Sequence, residues 1–265
     1  MICERSMVPK EKPIPFKGPM VCGVLNDSKS QTRRVMRTQP IRVSSDWDWD
    51  AEPGEVVIYR GWPHRLAESR GRNKRDAGEL TPIKIHSPYQ VGQTLWVKET
   101  WGTDFIRGQS VDVVYKEPWP DGCVGMNIDL PEGIIPPKPN PGRWRSSIFM
   151  PRWASRIDLE VTEVRAQRLQ DISLDDCLAE GVGDLIAGPG HYDPQEPGPE
   201  PDSLFAHLWD SINSKPKPVL IEKKIVSYVS YPWEAIRETR EHRGKPWEVV
   251  GNPAVFAYTF RRIRP

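Results

Sequence analysis

Hydrophobic and polar positions in this chain change period along its length, and helical and strand spacings do not alternate regularly. Met20, Val21, Val24 and Leu25 recur at helical spacing, which predicts a short helix reaching about Asp27. Ser30 to Val35 then enters a strand at its valine end. Gly92 to Trp101 alternates, with Leu95, Val97 and Glu99 on one face and Trp96, Lys98 and Thr100 on the other. Val56 to Tyr59, Pro82 to Ile85, Val111 to Tyr115 and Ile157 to Val164 are further strand candidates. Val255 to Ile263 is a long terminal one. Ser173 reads as the N-cap of a helix from Leu174 to Glu180, with Asp175 and Asp176 in its first turn and Gly181 just past its end. Leu204, Phe205, Leu208, Trp209 and Ile212 mark an amphipathic helix over Asp202 to Asn213. Val219 to Tyr231 reads as a strand and Trp233 to Lys245 as a charged helix.

Three stretches lack either period. Residues 42–80 set an acidic half, Asp46 to Glu55, before a basic half, Arg65 to Arg75, the pattern of a solvated insertion. Residues 118–142 and 183–201 are rich in Pro and Gly and read as loops. The opening, 1–15, mixes Pro, Lys and Glu and reads as a flexible lead, leaving 16–265 as a single domain with insertions. Strand and helix do not alternate, so a parallel α/β sheet is not expected. The pattern suits an α+β chain: a small mixed β-barrel with flanking helices and long loop insertions.

Composition changes this picture little. A chain of 265 residues with 11 tryptophans can bury a sizeable core, and its 28 prolines lengthen its loops. The net charge of +1 argues neither for nor against a nucleic-acid partner. Cys3, Cys22, Cys123 and Cys177 are scattered without a CxxC pair and read as reduced thiols. No run approaches the ~18 apolar residues that span a membrane, and Met1 to Lys12 is charged where a signal peptide is apolar. The expectation is a cytoplasmic protein with no membrane partner. The five histidines show no HxH or HExxH spacing, so neither metal nor cofactor is assigned.

Local charge says more. Trp96, Trp101, Trp144 and Trp153 stand beside Lys98, Arg143, Arg145, Arg152 and Arg156. Aromatic faces stack bases and guanidiniums meet phosphates. Arg143-Trp144-Arg145 is the best surface candidate, because charges flank the ring on both sides.

Three stretches carry a family likeness: Asp27-Ser28-Lys29-Ser30-Gln31-Thr32-Arg33-Arg34, the segment Gly92 to Trp101, and Arg152-Trp153-Ala154-Ser155-Arg156 through Gly181. They resemble the ASCH family, a branch of the PUA-like barrels, and particularly its longer members encoded in phages and prophages. The resemblance implies a PUA-like barrel whose pocket serves nucleic-acid bases, in a bacterial host cytoplasm. Two departures stand out. The family usually has Gly where this chain has Asp27, a residue that still tolerates positive φ. Many members carry an acid where this chain has Thr32, which makes it similar to the small bacterial N4-acetylcytidine amidohydrolases. That similarity implies a catalytic set of Lys29, Thr32 and Glu180, with Arg34 as the matching arginine and Arg33 beside it.

The chemistry is coherent with that set. Amide hydrolysis needs a nucleophile, a proton acceptor and a donor for the developing oxyanion. Lys29, if burial lowers its pKa from ~10.4, could activate the Thr32 hydroxyl. Glu180 could hold the lysine, relay a proton to the leaving cytosine amine, or activate a water directly. Arg34 could bind a phosphate or the base carbonyl. Two other readings stay open: a non-catalytic reader of RNA or DNA, and a phage accessory protein that binds another protein.

Overall fold

The computed structural model describes residues 11–39, 55–60, 81–183 and 200–263, with the backbone alone for 55–60 and 81–85. Most of the acidic-to-basic insertion at 42–80 and of the loop at 183–201 lies outside these residues. The chain is α+β, as its patterning indicates, and is organised around one five-stranded sheet. That sheet is ordered β1 (Lys12–Pro15), β5 (Thr94–Lys98), β9 (Asp158–Arg168), β14 (Ala254–Ile263) and β2 (Gln31–Val35). β1 runs parallel to β5, and every other neighbour in the sheet is antiparallel. Helix α1 (Gly18–Leu25) connects the edge strands β1 and β2. Among the described residues no sheet closes into a barrel.

β14 explains why the sheet is a middle layer. Ala254 to Tyr258 are buried without alternation, as in a strand covered on both faces. Phe256, Tyr258 and Phe260 pack with Val21 and Val24 of α1. Val255, on the opposite face, packs with Cys177 of α2 (Leu174–Ala179) and Phe205 of α3 (Pro201–Asn213). The predicted caps of α2 are in place: Ser173 Oγ accepts from the Asp176 amide at 3.1 Å, and Gly181 follows the helix at φ 79°. In β5, Leu95 and Val97 face the core, and Glu99 just beyond is buried with them.

The remaining strands form three smaller sheets. β3 (Glu55–Arg60) and β4 (Thr81–His86) make a hairpin. β6 (Trp101–Arg107), β7 (Ser110–Tyr115) and β8 (Gly125–Asp129) make a meander. β10 (Lys217–Ile221), β11 (Lys224–Ser230), β13 (Lys245–Val250) and β12 (Arg237–His242) lie in that order.

Several expectations need correction. The lead is ordered from Lys12 onward: Ile14 is fully buried between exposed neighbours, and prolines are tolerated on an edge strand. The loop at 118–142 contains β8, whose mostly exposed residues give no alternating signal. The stretch read as a charged helix, Trp233 to Lys245, holds β12 and the start of β13. β12 has no buried residue, so its sequence shows charge and no period. Arg243 and Gly244, at φ 54° and 70°, turn the chain between the two strands as a primed hairpin requires. The single strand expected over Val219 to Tyr231 is two, joined at Glu222 and Lys223 with φ 48° and 64°.

Candidate functional site

The site is built where β2 meets the C-terminus of α2. α1 ends at Leu25, and Asp27 takes φ 59°, a left-handed turn that Asp tolerates. The Ser28 and Lys29 amides both donate to the Gly23 carbonyl. The Ser30 amide donates to the Ala179 carbonyl at 2.8 Å, and the Ser30 carbonyl accepts from Phe260 at 2.9 Å. The turn is therefore clamped between α2 and β14.

Lys29 is buried, and its ammonium donates to Glu180 Oε2 at 2.7 Å and to the Glu180 carbonyl at 2.9 Å. Burial pushes the Lys29 pKa down, while the Glu180 carboxylate opposes that shift. Glu180 caps α2, and its other oxygen accepts from Arg33 at 3.0 Å. Gly181 makes the close approach possible: a Cβ there would lie 3.1 Å from Lys29 Cβ, at a positive φ besides.

Alternation along β2 separates two groups. Gln31 and Arg33 face α2, where Arg33 meets Asp176 Oδ2 at 2.7 Å and Gln31 meets Oδ1 at 2.9 Å. Arg165 of β9 lies on the far side of Ala257 in the register and reaches the same carboxylate at 2.8 Å. The small Ala257 leaves room between these two arginines for the Asp176 side chain. Burial acts to raise the Asp176 pKa, but the Arg165 and Gln31 hydrogen bonds and the Arg33 charge outweigh it and hold it low.

Thr32 and Arg34 belong to the opposite face, beside Tyr258 and Phe256 across the strand pair. Arg34 lies over the Phe16 ring at 5.5 Å and donates to the Pro15 carbonyl at 2.7 Å. Burial lowers its pKa. Thr32, Arg34 and Glu180 line one cavity of ≈ 260 Å³, walled by Phe205 and Trp209 of α3 and by Lys217 and Tyr231. Lys29 does not line it. That side chain borders a neighbouring cavity of ≈ 290 Å³ with Asp27 and Ser30, and reaches the first one only through Glu180.

The second group of predicted residues lies elsewhere. Trp101 is buried, and its ring makes an edge contact with Trp153 at 5.9 Å. Arg145 lies over Trp101 at 5.6 Å and donates to the Lys138 carbonyl at 2.7 Å. Trp101, Trp153, Arg145, Phe149 and Ile135 line a cavity of ≈ 510 Å³ that shares no residue with the first. Arg143 is exposed and Trp144 is half-exposed. Lys98 lies over Trp96 at 5.6 Å and donates to the Ile148 carbonyl. Arg156, read as a phosphate contact, is instead buried against Glu99 at 2.7 Å, between the rings of Tyr115 and Trp119.

Asp176, Arg165 and Lys217 went unnoticed as site residues. Asp176 was visible only as an acid in a first helical turn, and Arg165 only as a polar strand position. Lys217, placed between two prolines, carries no local signal.

Chemically, the arrangement offers a hydroxyl, a carboxylate and a guanidinium around one cavity at the β2 edge, with a buried amine behind the carboxylate. Among the described residues no group of three His, Cys, Asp or Glu side chains is placed to hold a metal ion, and no helix is long and apolar enough to cross a membrane. Comparison with protein-family models, curated proteins and solved structures finds no match to the chain.

Proposed function

We propose that this protein is an amidohydrolase of the ASCH kind that removes the acyl group from N4-acylated cytosine. The observation that carries the reading is the buried Lys29–Glu180 pair at 2.7 Å, whose carboxylate lines the Thr32 cavity. A further support is that the three segments carrying the family likeness all contribute to the central sheet and its covering helix. The 27–34 stretch supplies β2, Gly92 to Trp101 supplies β5, and Arg152 to Gly181 supplies β9 and α2. The PUA-like assignment of the sheet is part of this proposal.

In the proposed reaction the Thr32 hydroxyl oxygen attacks the acyl carbon. Its proton passes to the Glu180 carboxylate, which Lys29 holds in place at 2.7 Å. The C–N bond breaks, the cytosine amine leaves with that proton, and water then cleaves the Thr32 ester to release the acid. Arg34 offers a donor to the developing oxyanion. Acetate release from N4-acetylcytidine by the purified full chain tests the proposal. Loss of turnover in Lys29→Met and Thr32→Val is expected, and no turnover of any N4-acylcytosine by the wild type would overturn it.

A second reading, nucleic-acid binding without turnover, is favoured by the separate Trp101–Trp153 cavity with Arg145 on its wall. It predicts salt-dependent binding of single-stranded RNA or DNA that weakens in Arg143→Ala.

A further inference from the structure

The charge around the Thr32 cavity is unbalanced. Arg33, Arg34 and Lys217 line it against one carboxylate, Glu180, which is already bonded to Lys29 and Arg33. Arg34 and Lys217 form no ion pair among the described residues. Arg34 Nε is buried without a hydrogen-bond partner. The Lys217 ammonium is fixed by Asn213 Oδ1 at 2.7 Å, and Asn213 is itself buried on the cavity wall. Burial lowers the Lys217 pKa, and the charges of Lys17 and Arg34 lower it further. Two cations held near each other, partly desolvated and with no described carboxylate bonded to either, disfavour one another until an anion arrives.

We infer that Arg34 and Lys217 form a phosphate subsite at the mouth of this cavity, so that the substrate is a cytidine carrying a phosphate rather than the free nucleoside. This rests on reading the cavity as the N4-acylcytosine site. The two ends of the cavity then divide the work. Thr32 and Glu180 meet the acylated amine, and β10 brings Lys217 to the phosphate. The ≈ 260 Å³ volume lies at the small end of ligand cavities, which suits one nucleotide unit. The phosphate belongs to a free nucleotide or to one residue of a single strand.

Binding, measured by calorimetry without any need for turnover, tests the subsite. Cytidine, cytidine 5′-monophosphate and a short oligocytidylate are titrated into the full chain, the Lys217→Gln variant and the Lys217→Arg variant. The monophosphate should bind about tenfold more tightly than cytidine, the order expected of one charged hydrogen bond. Lys217→Gln keeps a donor to Asn213 and should erase that preference, while Lys217→Arg should retain it. If the oligocytidylate alone shows the preference, the phosphate is that of a strand; if the monophosphate matches it, a free nucleotide suffices. Equal binding of cytidine, its monophosphate and the oligocytidylate, or a preference untouched in Lys217→Gln, would overturn the inference. Preferential binding without hydrolysis of any acylated cytosine would leave the subsite standing and remove the amidohydrolase reading.

Discussion

The Lys29 ammonium donates to both the side chain and the main chain of Glu180, at 2.7 and 2.9 Å, and has no exposure to solvent. Glu180 is thus the anion shared by two buried cations, Lys29 and Arg33. The two partners are not equivalent. Glu180→Gln leaves Lys29 without a carboxylate and Arg33 with Asp176 alone, and should cost about 3–5 kcal/mol, the usual result of stranding a buried charge. Lys29→Met leaves Glu180 paired with Arg33 and should cost clearly less. Urea unfolding of both variants and of the double variant measures this; equal costs that simply add would contradict the shared-anion arrangement.

Thr32 offers a cleaner separation of activity from stability. Thr32→Val keeps the shape of the buried side chain and removes its hydroxyl. Turnover of N4-acetylcytidine should fall by about 10²-fold or more, while the melting temperature stays near that of the wild type. A variant that turns over normally would remove Thr32 from the chemistry.

Acid should loosen the contact between β2 and α2. The folded-state pKa of Asp176 lies below its ordinary value, so its ion pairs stabilise the fold above about pH 4 and are lost as pH falls through the depressed value. The stability difference between wild type and Asp176→Asn should therefore be largest near neutrality and shrink in strong acid. A difference that stays constant with pH would mean that Asp176 contributes nothing through its charge.

Asp27 tests the turn. Its φ of 59° is one that Gly adopts freely and a β-branched residue resists. Asp27→Gly should be near neutral, since the exposed pair with Arg262 contributes little. Asp27→Val should cost about 1–2 kcal/mol. Thermal denaturation distinguishes the two, and similar melting points would show the turn to be unstrained.

The Glu99–Arg156 pair is a structural counterpart far from the Thr32 cavity. Both side chains are buried, and the guanidinium sits 4.2 Å and 4.0 Å from the Tyr115 and Trp119 rings. Arg156→Met should destabilise by about 3–5 kcal/mol by leaving Glu99 unpaired. Converting both residues to apolar ones should recover part of that loss in the same unfolding assay.

The legible parts of this fold were those with a strong local rule. Ser173 and Gly181 bracket α2 because a hydroxyl cap and a left-handed glycine are local requirements, and β5 was readable because Leu95 and Val97 alternate with half-buried neighbours. β12 was not readable, since a strand with no buried face carries no period. Lys29, Thr32 and Glu180 were visible through family likeness. That Lys29 and Thr32 border different cavities was not, because the cavity walls come from elements far apart in the chain. Lys217 was invisible for a related reason: its meaning comes entirely from Asn213 and Arg34, which fold beside it from other elements.

The position of β14 has a consequence for synthesis. It joins β2 to β9, yet it is the last of the described strands in chain order, so a nascent chain can hold Lys29 and Glu180 without the layer that lines them up. These two residues are 151 positions apart, and contacts of that span form late because so much chain must be ordered first. On the proposed reading, activity would then arrive only once β14 has joined the sheet, and polypeptides cut short before Ala254 should be inert however well their helices form.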